Sequence, residues 1–133
     1  RAVPAPESVV DRIPAGALDH DGALIAPPEK SGVPERNKLA FAGCVIAHVT
    51  LDAKGEILTD PTITAFGLPE LDGAGDPFIE LLEDAVDEAI DGIPRSRRRD
   101  RELVAKATVK AMRSLMSQKW GKKPLCRADV TVI

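Results

Sequence analysis

The sequence FAGCVIAHVTLDAKGEILTDPTITAF (residues 41–66) predicts a β-hairpin. Its first half alternates between apolar and other residues, which is typical of a strand with one buried face. That face carries Val45, Ala47, Val49 and Leu51. Residues 52–55, DAKG, follow as a tight turn, since Gly55 can adopt a positive φ. EILTDPTITAF is the return strand, and Pro61 marks a bulge or an edge position within it.

Residues 78–91, FIELLEDAVDEAID, predict an amphipathic helix. Asp76 is the expected N-cap and Pro77 the first helical residue, while Gly92, Ile93 and Pro94 end the helix. At about 100° per residue one face is apolar, and it carries Phe78, Leu82, Ala85, Val86 and Ala89. The opposite face carries Glu80, Glu83, Asp84, Asp87, Glu88 and Asp91.

A second helix is predicted from about Asp100 to Lys119, before the stop signals Gly121 and Pro124. Its expected buried residues are Leu103, Val104, Ala107, Ala111 and Leu115, and its outward stripe is Glu102, Lys106, Lys110 and Arg113. The final segment RADVTVI alternates, with Ala128, Val130 and Val132 facing inward. From Leu39 onward the order is ββααβ. This order predicts an α+β fold in two layers, a three-stranded sheet covered on one face by two helices.

The first 33 residues have a different character from the rest of the chain. Six of the eleven prolines lie within residues 1–34: Pro4, Pro6, Pro14, Pro27, Pro28 and Pro34. Proline disfavours long helices and central strands. We expect residues 1–33 to be a Pro-rich lead-in from a preceding domain and residues 34–133 to form a small carboxy-terminal domain. Short pieces at 8–13 and 23–26 could pair as edge strands. Because the chain starts at Arg1, we expect it to be a piece of a longer protein.

The formal charge reverses along the second half of the chain. Residues 78–91 hold six acids and no Lys or Arg, whereas residues 95–127 hold twelve Lys or Arg and only Asp100 and Glu102 as acids. Such a basic region attracts a polyanion such as RNA, because binding neutralises phosphates and releases counterions. The RNA-binding candidates are Arg95, Arg97, Arg98, Arg99 and Arg101 in the interhelical connection, and Lys119, Lys122 and Lys123 after the second helix, with Arg127 beyond them.

Two alternatives remain open for this basic region. The arginines could instead pair with acids of the first helix or of a neighbouring domain. Trp120 could stack on a base, although a lone Trp that closes a helix onto a small aliphatic core favours packing. The two basic clusters are expected at opposite ends of the second helix, roughly 30 Å apart.

No complete active site or metal site is predicted for this chain. The two histidines lie in different segments, His20 in a DHDG turn and His48 in a strand. No HxHxDH, HExxH, GxSxG or phosphate-binding glycine loop occurs. Cys44 and Cys126 lack CxxC spacing and are expected as buried thiols. No apolar run reaches the roughly 20 residues of a membrane span, and no stretch of this sequence combines the basic, apolar and small-residue regions of a signal peptide, so we expect a cytoplasmic location without membrane contact.

Four segments carry a family resemblance. They are RIPAGALDHDGALI (12–25), RNKLAFAGCVIAHVTLDAKGEILTDPTITAFGLPE (36–70), IPRSRRRDRELVAKATVKAM (93–112) and QKWGKKPLCRADVTVI (118–133). Together they resemble the carboxy-terminal region of ribonuclease J, a family of metallo-β-lactamase and β-CASP nucleases.

The resemblance implies a parent hydrolase that degrades and processes RNA as a 5′-to-3′ exonuclease and an endonuclease, with a two-metal site that usually holds zinc. No catalytic or metal role transfers to any residue here, because HxHxDH has no match. For the carboxy-terminal domain it implies self-association and RNA placement, with RNA, further copies and the parent's catalytic domains as partners.

Two other functions are compatible with the pattern. The first is a free-standing RNA-binding module that resembles a KH domain, but its interhelical link requires GxxG, and residues 92–95 lack the second glycine. The second is a purely structural dimerisation domain whose basic residues only solubilise. RNA affinity measured against salt separates the two RNA-binding hypotheses from the structural one.

Overall fold

The computed structural model of the chain describes residues 17–133, which fall into two units divided between Lys38 and Leu39. In the first unit, β1 (Asp19–Asp21) and β2 (Leu24–Ala26) form an antiparallel hairpin whose turn contains Gly22 at φ +61°. The hairpin turn at Asp21 and Gly22 is therefore confirmed, but Asp19 and His20 lie on its first strand, and the expected strand at residues 24–26 pairs with that strand. The other predicted edge strand, residues 8–13, lies outside the described residues. A short 3₁₀ helix follows at Pro28–Lys30.

The helix α1 (Val33–Ala42) precedes the sheet and was not predicted. The β signal was expected to start at Leu39, but the strand starts at Cys44, so the prediction for residues 39–42 is wrong. Pro34 is one of the six prolines that disfavour a long helix in this part of the sequence. Proline is nevertheless tolerated in the first turn of a helix, because N–H groups there lack intrahelical partners. The helix ends where Gly43, at φ +77°, donates its N–H to the Leu39 carbonyl.

The sheet has three strands, β3 (Cys44–Leu51), β4 (Thr62–Phe66) and β5 (Leu125–Val132), in the order β4-β3-β5. β4 runs antiparallel and β5 parallel to β3. Between β4 and β5 the chain forms α2 (Phe78–Asp91) and α3 (Arg101–Lys119), which cover one face. The predicted inward residues of β3 are all buried: Val45, Ala47, Val49 and Leu51. The predicted α+β fold is thus confirmed.

The core lies between β3 and the two helices. In α2 the buried residues are Phe78, Leu82, Val86 and Ile90. In α3 they are Val104, Thr108, Met112 and Met116, whereas four predicted core residues, Leu103, Ala107, Ala111 and Leu115, are only half-buried. The buried face of α3 is therefore rotated relative to the predicted one, because the middle of that face contains Thr108, Met112 and Met116. The flexible Met side chains fill irregular space between the layers.

The loops at residues 52–56 and 72–76 have the same hydrogen-bonding pattern, and only the first of them was predicted as a turn. At residues 52–56, Asp52 Oδ1 accepts hydrogen bonds from the N–H groups of Lys54 and Glu56 at 2.8 and 2.9 Å. At residues 72–76, Asp72 Oδ1 accepts them from Ala74 and Asp76 at 2.9 and 2.8 Å. These backbone donors, above all Glu56 and Asp76 respectively, lower the pKa of each aspartate.

The second loop corrects the predicted start of α2. The helix begins at Phe78, so Pro77 and not Asp76 takes the N-cap position, and it has no side-chain hydrogen bond to the helix. The Asp76 N–H is instead part of the loop and donates to Asp72 Oδ1. At α3 the predicted cap is confirmed, since Asp100 Oδ1 accepts from the N–H groups of Glu102 and Leu103. The return strand is shorter than predicted: Ile57 makes an isolated bridge to Leu51, and β4 starts just after Pro61.

Candidate nucleic-acid interface

Arg98 in the link between α2 and α3 is bound to the backbone. Its Nε donates to the Ile93 carbonyl at 2.9 Å, its Nη1 to the Gly55 carbonyl at 3.0 Å and its Nη2 to the Asp91 carbonyl at 3.4 Å. A Cβ added to Gly55 would lie 3.0 Å from the Arg98 Cβ. The side chain therefore fastens the interhelical link to the β3–β4 turn.

Two further arginines bind the same turn. Arg95 Nη2 lies 2.6 Å from Glu56 Oε1, and Arg99 Nε donates to the Ala53 carbonyl at 3.1 Å. Arg95 and Arg99 line a shallow depression of about 520 Å³ together with Lys54 and Ser96. The acid that pairs with an arginine here belongs to the β3–β4 loop and not to α2.

Arg97 and Arg101 differ from their neighbours. Both side chains are exposed, and neither makes a side-chain hydrogen bond or an ion pair with the part of the chain that the structure describes. The link itself is closed: a 3₁₀ helix (Arg95–Arg97) forms, and the N–H groups of Arg97 and Arg98 donate to the carbonyls of Pro94 and Arg95. Gly92 has an ordinary helical φ of −76°. These features leave no open glycine loop of the KH type at this link.

After α3, Lys122 is held between two aromatic rings. Its Nζ donates to the Phe41 carbonyl at 3.2 Å and lies 4.5 Å from the centroid of the Phe41 ring and 5.2 Å from that of Trp120. Trp120 is half-buried and packs against the core, which supports the packing interpretation. Lys119 is exposed and lies near Asp72, whose pKa it helps to lower after the hydrogen bonds from Asp76 and Ala74.

A basic groove runs between α3 and β5. Its volume is about 590 Å³, and five of its lining residues are cationic: Lys106, Lys110, Arg113, Lys123 and Arg127. The rest of the lining is small or hydroxyl-bearing: Ala105, Val109, Ser114, Ser117, Cys126 and Ala128. None of these lining residues is acidic. We call this surface the basic groove.

Three cations of the basic groove come from one face of α3. Lys106, Lys110 and Arg113 are spaced by four and three residues, which places them along one side of a helix, about 10 Å from first to last at 1.5 Å per residue. All three are exposed, and none forms an ion pair with any described residue. Lys123 lies across the groove on the segment that leads into β5.

The sequence pattern predicts an outward stripe for these α3 cations and not a binding site. Their helical spacing can be read from the sequence. The β5 side of the groove cannot, since it depends on the parallel register that pairs Cys44 with Leu125 and Ile46 with Arg127. Of the candidates after α3, Lys123 enters the groove. The arginine link stands at the other end of α3, about 28 Å away over its 19 residues.

The described residues do not fit the two-zinc site that the family resemblance implies for a parent enzyme. No group of three or more His, Cys, Asp or Glu that could hold a metal occurs among them. His20 is on β1, and His48 is on β3 with Nδ1 3.6 Å from Asp129 Oδ2. Cys126 is buried as predicted, while Cys44 is only half-buried, and neither forms a disulfide with a described residue. Within residues 17–133 no helix is both long and apolar enough to cross a bilayer.

Comparison with known proteins gives two matches. The family model of the ribonuclease J C-terminal domain matches residues 32–132. Ribonuclease J of Sinorhizobium meliloti is 41% identical over 133 residues, which is all of this chain and 24% of that protein. The chain thus spans about a quarter of the length of this curated relative.

Proposed function

Because the chain belongs to the ribonuclease J C-terminal domain family, we propose that it is the accessory domain of an RNA-degrading and RNA-processing enzyme. The 5′-to-3′ exonuclease and endonuclease activity of such an enzyme, and its two zinc ions, belong to catalytic domains with which this chain is a partner. In this proposal the domain places RNA and supports self-association without cutting RNA itself. A cytoplasmic location is part of the same proposal.

The basic groove is the observation that carries the RNA role. Five cations line one concave surface without an acid in the lining. Because Lys106, Lys110 and Arg113 form no ion pair with any described residue, a phosphate that contacts these three does not have to displace a carboxylate. Each cation that neutralises a phosphate releases counterions, with a contribution to the salt slope of about 0.7 per contact for single strands. The α3 cations are spaced along the groove, which suits a linear polyanion better than a compact one.

The arginine link is the weaker candidate for RNA contact. Arg98 has its guanidinium on three carbonyls, and Arg95 and Arg99 each have one partner. A phosphate would compete with these bonds. Arg97 and Arg101 remain available for a secondary contact.

Two charge-matched variants test the RNA role. The groove variant combines Lys106→Gln, Lys110→Gln and Arg113→Gln, and the control combines Lys54→Gln, Arg97→Gln and Arg101→Gln, so each removes three exposed positive charges. We expect the groove variant to bind single-stranded RNA at least about tenfold more weakly at low salt, with a log-log salt slope reduced by about two units. The control should keep most of its affinity.

Two outcomes contradict this placement. If the control loses as much affinity as the groove variant or more, RNA binds at the arginine link or to charge in general. If neither variant changes RNA binding, the domain has a purely structural role. Circular dichroism must show that both variants stay folded, as expected for exposed substitutions that each cost about 0.5 kcal/mol or less.

The uncovered face of the sheet supports the proposal of self-association with a second copy. The helices cover the face of Val45 and Val49, so the alternate residues Ile46 and Thr50 lie on the other side. Phe66 on this side is 63% exposed. Phe66→Glu should shift the oligomer toward monomer in sedimentation at a fixed concentration; a wild-type chain that is strictly monomeric at high concentration would remove this part of the proposal.

A further inference from the structure

Phe41 is an exposed aromatic side chain in a protein that has few of them. The chain has three Phe, one Trp and no Tyr, yet Phe41 is 68% exposed at the end of α1. A ring of this size is ordinarily used to build the core. Its exposure therefore points to a role at the surface.

The ring is held in position from two sides. Lys122 lies over it at 4.5 Å and also donates to the Phe41 carbonyl at 3.2 Å. Two residues later, a Cβ on Gly43 would lie 2.3 Å from the Phe66 carbonyl oxygen, so the backbone after Phe41 packs directly on β4. The Gly43 carbonyl accepts the N–H of Leu125 at 3.0 Å, which joins this end of α1 to the start of β5.

The same connections join Phe41 to the chain segment that lines one end of the basic groove. Lys122 contacts Phe41, and the next residue, Lys123, lines the groove. Cys126, at the start of β5, also lines it, one residue after the Leu125 that bonds Gly43. A chain of phosphates that leaves the groove past Lys123 would therefore carry its next base to the Phe41 ring.

We infer that Phe41, positioned by Lys122, is a stacking site for an unpaired nucleobase at the Lys123 end of the basic groove. An aromatic ring next to cations is the surface that binds bases of single strands, because every base has a π-face that can stack on it. Bases in a duplex are already stacked and paired, so they cannot use this ring. The inference rests on the proposed RNA role of the groove and adds a preference for single-stranded RNA.

The test compares substitutions at two exposed apolar residues. Phe41→Leu removes the ring and keeps an apolar side chain, while the control Leu71→Ala shortens another exposed apolar side chain, 52% exposed, which is not part of the groove lining. Fluorescence anisotropy measures binding of the 133-residue chain to three probes of equal length: an oligouridine, the same strand with abasic positions, and an RNA duplex. Phe41→Trp restores a stacking ring.

We expect Phe41→Leu to weaken oligouridine binding by roughly fivefold or more. Binding to the abasic strand and the duplex should not change, and the salt slope should be kept because no charge is lost. Phe41→Trp and Leu71→Ala should bind oligouridine within about twofold of wild type, which is less than the loss of one stacking contact.

The failures of the two proposals are distinguishable. If the groove variant binds RNA like wild type, the RNA role itself fails. If the groove variant is weakened but Phe41→Leu is not, only the stacking site fails. Equal weakening of all three probes by Phe41→Leu would also overturn the stacking site, because it would show that the ring acts on phosphate binding or on the fold.

Discussion

Replacement of Arg98 by Met is expected to destabilise the fold, although the same replacement of its neighbour Arg97 is expected to be tolerated. Met keeps an unbranched apolar stem against Gly55 and removes the guanidinium, so the carbonyls of Ile93, Gly55 and Asp91 lose their donors. A net hydrogen bond from a charged group contributes about 1.5–3 kcal/mol. Two bonds here have good lengths, 2.9 and 3.0 Å, and one is long at 3.4 Å.

Water can partly replace the guanidinium because Arg98 is half-exposed, so the expected loss is about 2–3 kcal/mol and not the full sum. For a domain of this size that loss lowers Tm by roughly 10 °C. Arg97→Met is the matched control, and its cost should be about 0.5 kcal/mol or less. Urea denaturation followed by circular dichroism measures both. A cost for Arg98→Met within 0.5 kcal/mol of the control would refute the anchoring role.

The same contacts change an expectation drawn from the sequence. The pattern alone predicts that replacing Arg97, Arg98 and Arg99 together by Glu leaves folding intact, since none lies in the predicted core. In the structure Arg98 and Arg99 bind the β3–β4 turn. We therefore expect that triple reversal to be destabilising, which makes it unsuitable as a test of RNA contact.

Further substitutions probe the core, a close contact and the acidic helix. Thr108→Val should raise the free energy of unfolding by about 1 kcal/mol in urea denaturation, because the buried Thr108 hydroxyl has no hydrogen-bond partner among the described residues; a loss would show that the hydroxyl is satisfied. Gly43→Ala should cost more than about 2 kcal/mol in the same assay, since φ is +77° and the new Cβ would meet the Phe66 carbonyl; a neutral result would contradict the close contact. The pKa of Asp87 is raised by burial and by the carboxylates of Asp60, Asp91 and Asp84. Its contribution to stability is present below its ordinary pKa of 3.8 and is lost as pH rises through the raised value. Asp87→Asn should therefore raise Tm at pH 7 and leave it unchanged at pH 3; a Tm at pH 7 equal to wild type would contradict the raised pKa.

The parts of the fold that were predictable are those fixed by local periodicity. Apolar residues occupy every second position of residues 45–51, so only one face of that strand can be buried. The inward residues of β3 could therefore be predicted from the sequence. α2 has a clear apolar face, and Asp100 is recognisable as the cap of α3 because its side chain can reach the N–H groups of its own helix. Each of these features depends on residues close in sequence.

The parts that were missed depend on residues far apart in sequence. The neighbouring sequence does not distinguish Arg98 from Arg97, because Arg98 binds the carbonyl of Gly55, which lies 43 positions away. The basic groove requires the parallel pairing of β5 with β3, which brings Arg127 and Lys123 beside the exposed cations of α3. The helix α1 was missed for a different reason, because Pro34 is equally compatible with an extended segment and with the first turn of a helix.

RNA binding in the basic groove is measured most directly by an NMR titration of the isotope-labelled 133-residue chain with single-stranded RNA at low salt. If RNA occupies the basic groove, backbone amide shifts should change mainly at residues 105–117 and 123–128, with Phe41 and Lys122 responding at the same RNA concentrations. Amide changes confined to residues 95–101, or to the uncovered sheet face around Ile46 and Phe66, would contradict the placement of RNA in the groove.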